Sequence, residues 1–312
     1  MKLSFVIPCY GSEETIVPVI AEIDETITQK PETDYEIICV NDCSPDNVLP
    51  VLKRLVETRT NMTVIDLARN FGKNSAVLAG MKYITGNIVI VLDDDGQCPT
   101  YRLWDFIDKL DEGYDIVTAK YGNRKQSPFK NFGSALNHKM SQWLLNKPKD
   151  LHFGTFNVLR RFVVDEIIRY KNAFPYFEGL MLCSTNKIGY VIAEDRERIA
   201  GEGHFTFAKS LGLWLNGFTA FSVKPLRLTA FLGFFVAAIG FIYGLATIVQ
   251  KILSPAMPIG YASTMAVLLF VGGMILLSLG MIGEYVGRIY ISISNSPQYV
   301  IREIVKGGQT LD

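Results

Sequence analysis

The run VIVLDDDGQCP, residues 89–99, carries an apolar, β-branched stretch straight into three carboxylates, Asp93, Asp94 and Asp95. Like charges at contact repel by several kcal/mol at an intermediate dielectric, so solvent or a bound cation must relieve them. On an extended segment Asp93 and Asp95 face one way and Asp94 the other, with the Gln97 amide in phase with the pair. Mg²⁺ or Mn²⁺ takes oxygen ligands of this kind and is commonly completed by a substrate's phosphates. Asp93, Asp95 and Gln97 are therefore the candidate metal set; a solvated acidic turn is the alternative. The chain has neither G-x-x-x-x-G-K-[ST] nor a strand followed by G-x-G-x-x-G, which argues against P-loop and dinucleotide chemistry.

Such residues need a scaffold, and the first 120 residues alternate in a way that predicts one. LSFVIPCY (3–10), YEIICVND (35–42), MTVIDLA (62–68), NIVIVLDD (87–94) and DIVTAKY (115–121) read as strands. Helical stretches such as EETIVPVIAEIDETIT and VLPVLKRLVETR lie between them. The expectation is an α/β fold, a mostly parallel, Rossmann-like sheet with helices on both faces. Ligands of such sheets bind at the carboxyl ends of the strands. PCYGSEE, NDCSPD, ARNFGKN and DDDGQ all fall there.

Composition narrows the class further. Lys+Arg and Asp+Glu each count 31 in 312 residues, and a net charge of zero argues against a nucleic-acid partner. Five cysteines without a C-x-x-C are consistent with reduced thiols. The N-terminus reads as a first strand and not as a signal peptide, its apolar run being short and soon at a proline. Hydrophobic residues make up 49% of the chain and concentrate late, in two uncharged stretches, 228–249 and 263–283, each long enough to span a bilayer as a helix. The intervening loop, 250–262, holds one charge, Lys251, whereas Lys224 and Arg227 precede the first stretch and Arg288, Arg302 and Lys306 follow the second. The positive-inside bias then places a domain at 1–203 and a tail at 284–312 in the cytoplasm. Residues 204–227, rich in Phe, Leu, Trp and Lys, read as an amphipathic interfacial segment. SPFKNFGSALNHKMSQWLLNKPK (127–149) fits an amphipathic core helix and membrane contact equally well.

Taken in order, these motifs resemble those of family 2 glycosyltransferases with the GT-A fold. Within that family they resemble the polyprenyl-phosphate sugar transferases, such as dolichol-phosphate mannose synthases, bactoprenol glucosyltransferases and the undecaprenyl-phosphate aminoarabinose transferase. The resemblance spans nearly the whole chain, including SPQYVI after the second apolar stretch. It implies nucleotide-sugar contacts from Pro8, Tyr10, Glu13, Asp42, Arg69, Lys73 and Asp93. Asp93, Asp95 and Gln97 match the family's D-x-D-x-Q, with Asp95 catalytic and Mg²⁺ or Mn²⁺ as cofactor. Asp46 either joins the nucleotide site or caps the following helix. Arg198, in RIAGEGHFTFAK, is assigned to acceptor phosphate and catalysis, with Lys120 and Lys130 adding positive charge there. Several positions depart from the pattern. Gly11 stands where the family has Asn, and Thr155 and Asn157 replace the charged pair of G-D-F-R-L; Gly203 replaces a serine, with Lys209 the nearest lysine.

The chemistry implied is transfer of a sugar from a UDP-sugar, with UDP-glucose leading, to undecaprenyl or another polyprenyl phosphate, with inversion at the anomeric carbon. A phosphate monoester has a second pKa of about 6, so the nucleophile is largely dianionic at neutral pH and needs no strong base. This suits a chain whose three histidines, His138, His152 and His204, stand beside no evident carboxylate partner. The acceptor's tail lies in lipid, which gives the apolar stretches their purpose: a multi-pass protein of the bacterial cytoplasmic membrane, its catalytic domain inside. Small residues in FVGGMILLSLGMIG would allow close helix packing within the chain or in a homo-oligomer. Two alternatives stay open. One is a non-catalytic scaffold that keeps the fold; the other is a processive polysaccharide synthase, which would normally show Q-x-x-R-W and more spans.

Overall fold

The computed structural model describes residues 1–122, 153–173, 175–194, 196, 224–253, 260–294, 296–307 and 309–311. They form two units, one of residues 1–217 with 295–312 and one of residues 218–294.

The first unit is built on a sheet of nine strands. In chain order its elements are β1 (Lys2–Cys9), α1 (Ile16–Thr28), β2 (Asp34–Asn41), α2 (Val48–Glu57), β3 (Met62–Leu67), α3 (Lys73–Met81) and β4 (Ile88–Val91). A 3₁₀ turn (Thr100–Arg102), α4 (Leu103–Asp111), β5 (Ile116–Tyr121), β6 (Asn157–Arg160), α5 (Arg161–Ile167), α6 (Phe177–Ser184) and β7 (Ile188–Ala193) follow. β8 (Ile301–Lys306) and β9 (Gln309–Leu311) complete the sheet, whose order is β7-β5-β6-β4-β1-β2-β3-β8-β9. β1 runs parallel to β2 and β4, β2 to β3, and β5 to β7. β6 and β8 alone run against the rest, so the sheet is mostly parallel, as the alternation predicts.

Both faces are covered, which is why β1 and β4 are apolar without alternation. Leu3, Phe5, Ile7, Ile37 and Cys39 face a core completed by Ile16, Ile20 and Ile23 of α1, Leu52 of α2 and Phe106 of α4. The α1 residues recur at helical spacing and form one buried stripe. The opposite face carries α3, which includes the small residues Ser75, Ala76, Ala79 and Gly80 and is buried from Ser75 to Met81. Its Gly80 lies so close that a Cβ there would meet Val6 Cγ1 at 2.6 Å and Val40 Cγ2 at 2.9 Å.

Sequence patterning offers residues 284–312 as a tail. In the structure the second long helix runs on to Ile293, and residues 301–306 return to the sheet, pairing antiparallel with β3. The physical reason is the edge itself: without β8 the backbone of β3 would present unpaired donors and acceptors. Val305 also packs against the core. β4 is shorter than the 87–94 read from sequence and ends at Val91, so the carboxylates lie beyond the strand.

The second unit is a helical pair, α7 (Lys224–Leu253) and α8 (Tyr261–Ile293), which pack on each other. Each contains a window long and apolar enough to cross a membrane, Leu226–Ala246 with mean hydropathy 2.1 and Phe270–Ile293 with 1.5. Phe234, Phe241, Leu276 and Tyr290 stand exposed on them, unlike the aromatic residues of the first unit's core. Apolar faces of this length left uncovered by protein are suited to lipid.

Candidate functional site

Because β1 to β4 are parallel, their carboxyl ends share one edge of the sheet. The chain passes from β1 to β2 to β3 on one side, then crosses to β4 on the other side of β1. This reversal of order is where open α/β sheets bind ligands. Four loops meet there.

The loop after β4 leaves the strand at Val91 and turns at Gly96, which has a φ of 74°. Its carboxylates diverge. Asp94 accepts the backbone N–H of Tyr10 at 3.0 Å, tying the end of β4 to that of β1. Burial pushes its carboxyl up to about 6, and the Tyr10 amide pulls the other way. Asp93 faces the Lys73 ammonium at 2.5 Å. Its Oδ1, which makes this ion pair, is buried. Asp95 accepts the backbone N–H of Gln97 at 3.1 Å, and the Gln97 side-chain amide donates to the Arg196 carbonyl at 2.7 Å.

The loop between β3 and α3 is held by Asp42, which follows β2. Its buried carboxylate accepts the N–H groups of Phe71 and Gly72 at 2.7 and 2.8 Å. Desolvation raises the Asp42 pKa, against those two amides. Gly72 adopts a φ of 87°, a conformation open to glycine, and α3 begins at the next residue, Lys73. Arg69 stacks over Phe71 at 4.6 Å. Burial alone would lower the Lys73 pKa, but the facing Asp93 carboxylate outweighs it and the net direction is up.

Pro8 is buried within β1, and Tyr10 just past it is exposed at the edge. Glu13 accepts the N–H of Asn47 at 3.1 Å, while its own N–H donates to Asp46 at 2.8 Å. Asp46 also accepts the Val48 N–H at 3.3 Å and the Ser44 hydroxyl at 2.5 Å. In this structure Glu13 and Asp46 therefore clamp the first two loops together, and Asp46 meets the start of α2 as a cap would.

Lys120, on β5, lies over the Tyr190 ring of β7 at 4.4 Å, two strands removed from β4. Lys130, Arg198, Gly203, Lys209 and the three histidines lie outside the described residues, as do the segments 127–149 and 204–223. Thr155 bridges Tyr121 Oη at 3.1 Å and Cys98 Sγ at 3.5 Å. Asn157 donates to the Gly154 carbonyl at 3.0 Å. The two departures at these positions thus stabilise the turn between Gly154 and β6.

Sequence reasoning passed over Arg196. Its guanidinium donates to Glu22 at 2.6 Å and to the Cys98 carbonyl at 3.3 Å, fastening the segment before Arg198 to the acidic loop. It also passed over Glu178, whose charge acts on Lys73 and which accepts the Tyr176 hydroxyl at 2.8 Å. Neither is signalled by local pattern, because both depend on contacts across the fold.

Among the described residues, no group of three or more His, Cys, Asp or Glu could hold a metal by itself. The donor set nonetheless fits Mg²⁺ or Mn²⁺, which are held through one or two carboxylates plus substrate phosphates. Asp93, whose buried Oδ1 faces Lys73, and Asp95 would supply those carboxylates.

Comparison with known proteins agrees with this architecture. Residues 4–168 match the family described as glycosyl transferase family 2, and residues 224–289 match the GtrB C-terminal hairpin. A prophage-derived bactoprenol glucosyl transferase of Shigella flexneri is 32% identical, over 98% of this chain and 99% of its own. An uncharacterized glycosyltransferase of Bacillus subtilis is 33% identical over 97% and 94%. Among solved structures, glucosyl-3-phosphoglycerate synthase from Mycobacterium tuberculosis with uridine diphosphate matches 69% of this chain and 76% of its own. Its TM-score is 0.50 at 15% identity, a likeness of fold.

Proposed function

Since the chain belongs to glycosyl transferase family 2, we propose that it transfers a sugar from a UDP-sugar, UDP-glucose first, to polyprenyl phosphate at the cytoplasmic membrane. The observation that carries this reading is the nearly full-length match to a bactoprenol glucosyl transferase, which takes in the helical pair as well as the sheet.

The chain's own residues support a mechanism of positioning and electrostatics. Asp42 fixes the loop that presents Arg69 and Lys73 at the strand ends, a cationic rim for a nucleotide diphosphate. Tyr10, exposed at the same edge, offers a ring face to the base. A divalent cation held by Asp93 and Asp95, with Gln97, would neutralise charge on the departing diphosphate. Arg198, with Lys120 and Lys130, is assigned to the acceptor phosphate, and Arg196 anchors the start of that segment beside the acidic loop. The phosphate attacks as an oxyanion, so the residues have to align it and exclude water more than to remove a proton. α7 and α8 hold the catalytic unit where the lipid-borne acceptor is found, with both ends of the pair on the cytoplasmic side.

The test uses protein purified in detergent with undecaprenyl phosphate, Mn²⁺ or Mg²⁺, and a panel of labelled UDP- and GDP-sugars. One donor is expected to deliver a single sugar to the organic phase. Nucleotide binding without transfer from any donor would favour the scaffold alternative, and a polymeric product the synthase.

A further inference from the structure

The Lys73–Asp93 pair raises a problem for cation binding. The ammonium touches the carboxylate at 2.5 Å. A carboxylate oxygen in that contact cannot also take a divalent cation at about 2.0–2.1 Å without forcing two positive charges together. Even at the other carboxylate oxygen a divalent cation would lie close to the ammonium, so the two partners of Asp93 oppose each other. Further features mark the pair as one made to be broken. Lys73 is the first residue of α3, the helix end that disfavours a cation, so its place there depends on the opposing carboxylate. Asp93 Oδ1 is buried, so its charge is compensated chiefly by the facing ammonium. The Lys73 side chain is 49% exposed, although its ammonium at the Asp93 contact is partly desolvated.

We propose that Lys73 is a resident counter-cation that Asp93 exchanges for the divalent metal, the released ammonium then serving the nucleotide diphosphate. The inference rests on the reading of this edge as the metal and nucleotide site. Where neither ligand is bound Lys73 neutralises Asp93 and Asp93 neutralises Lys73, so each attracts a ligand less strongly. Metal binding breaks the pair and turns Lys73 into a phosphate ligand; nucleotide binding draws Lys73 away and frees Asp93 for metal. Each ligand thus strengthens the other, by the same factor in both directions. The chain would then bind metal and donor together and neither well alone.

The experiment measures Mn²⁺ binding to the full chain in detergent by electron paramagnetic resonance, and UDP binding in EDTA by calorimetry. Lys73→Met should tighten Mn²⁺ about tenfold in the absence of nucleotide, within the range usual for coupled sites. Lys73→Arg, which keeps the charge, should stay near wild type. Asp93→Asn reads the exchange from the other side: by freeing Lys73 it should bind UDP in EDTA more tightly than wild type does. This arm holds even if Lys73→Met fails to fold. Wild type that binds Mn²⁺ and UDP, with neither affinity raised in its variant, would overturn the exchange and leave the glycosyltransferase reading standing. Wild type that binds neither ligand, alone or together, would overturn both.

Discussion

The backbone N–H of Tyr10 and the carboxylate of Asp94 meet at 3.0 Å, joining the ends of two neighbouring parallel strands on which the proposed donor site is built. The contact binds the middle carboxylate of the acidic run inward, while Asp93 faces Lys73.

Its cost is measurable through pH. Burial raises the Asp94 carboxyl from 3.8 to about 6, so between those values the native chain binds a proton that the unfolded chain releases. Stability contributed by this group therefore falls as pH rises through that window, and above it the carboxylate is a net burden. Asp94→Asn keeps an acceptor for the Tyr10 amide without the charge. Thermal unfolding in detergent should show the variant more stable by about 1 kcal/mol at pH 7.5, the difference shrinking toward pH 4.

Asp42 is expected to matter for loop order more than for charge. Asp42→Ala strands the amides of Phe71 and Gly72, at a cost of about 1–3 kcal/mol in stability. The Michaelis constant for the nucleotide sugar should rise more than kcat falls, because the loop presents Arg69 and Lys73. Asp42→Asn, with one carbonyl oxygen left, should lie between the two in both assays.

Arg196 is predicted to act through the acidic loop. In Arg196→Met the links to Glu22 and the Cys98 carbonyl are lost, and kcat should fall about tenfold from misplacement alone. Arg196→Lys should recover part of it. Equal losses in melting temperature and activity across both variants would point to a structural role only.

β8 carries a prediction about the sheet. Asp66, 3% exposed, accepts the Asn41 amide at 2.7 Å and lies 3.4 Å from the Arg302 guanidinium. Arg302 also donates to the Ala68 carbonyl at 2.9 Å. Arg302→Ala should cost about 1 kcal/mol, since the arginine is half exposed. Deleting residues 296–312 should do far more, opening the edge of β3 and shifting the protein to aggregates on size-exclusion chromatography, although every acidic-loop residue and both long helices remain.

The strands legible beforehand were those buried on both faces, because a run such as FVIP or IICV has no other place to go. β6 and β8 were not legible. NVLR is too short to register, and IREIVK mixes charges into its pattern because Arg302 and Glu303 find Asp66 and Lys53 across the fold. Read alone, those charges look like a solvated tail. The loops of the site were legible as places and less so as contacts. Alternation along an extended strand separates Asp94 from its neighbours, but the chain leaves the strand at Val91 and a turn at Gly96 shapes the rest. Glu13 pairing with Asn47, and Arg196 with Glu22, join residues far apart in the chain.

The placement of β8 also sets an order of events. β3 ends at Leu67, and the strand that covers its open side begins only at Ile301, after both long helices. At synthesis rates of about 5–20 residues per second, that side waits on the order of ten seconds or more for its partner. During that interval a chaperone has a defined target, and a chain whose helical pair goes astray delivers no β8 to the sheet. On the proposed membrane reading, this edge of the sheet closes only after both long helices have been synthesised.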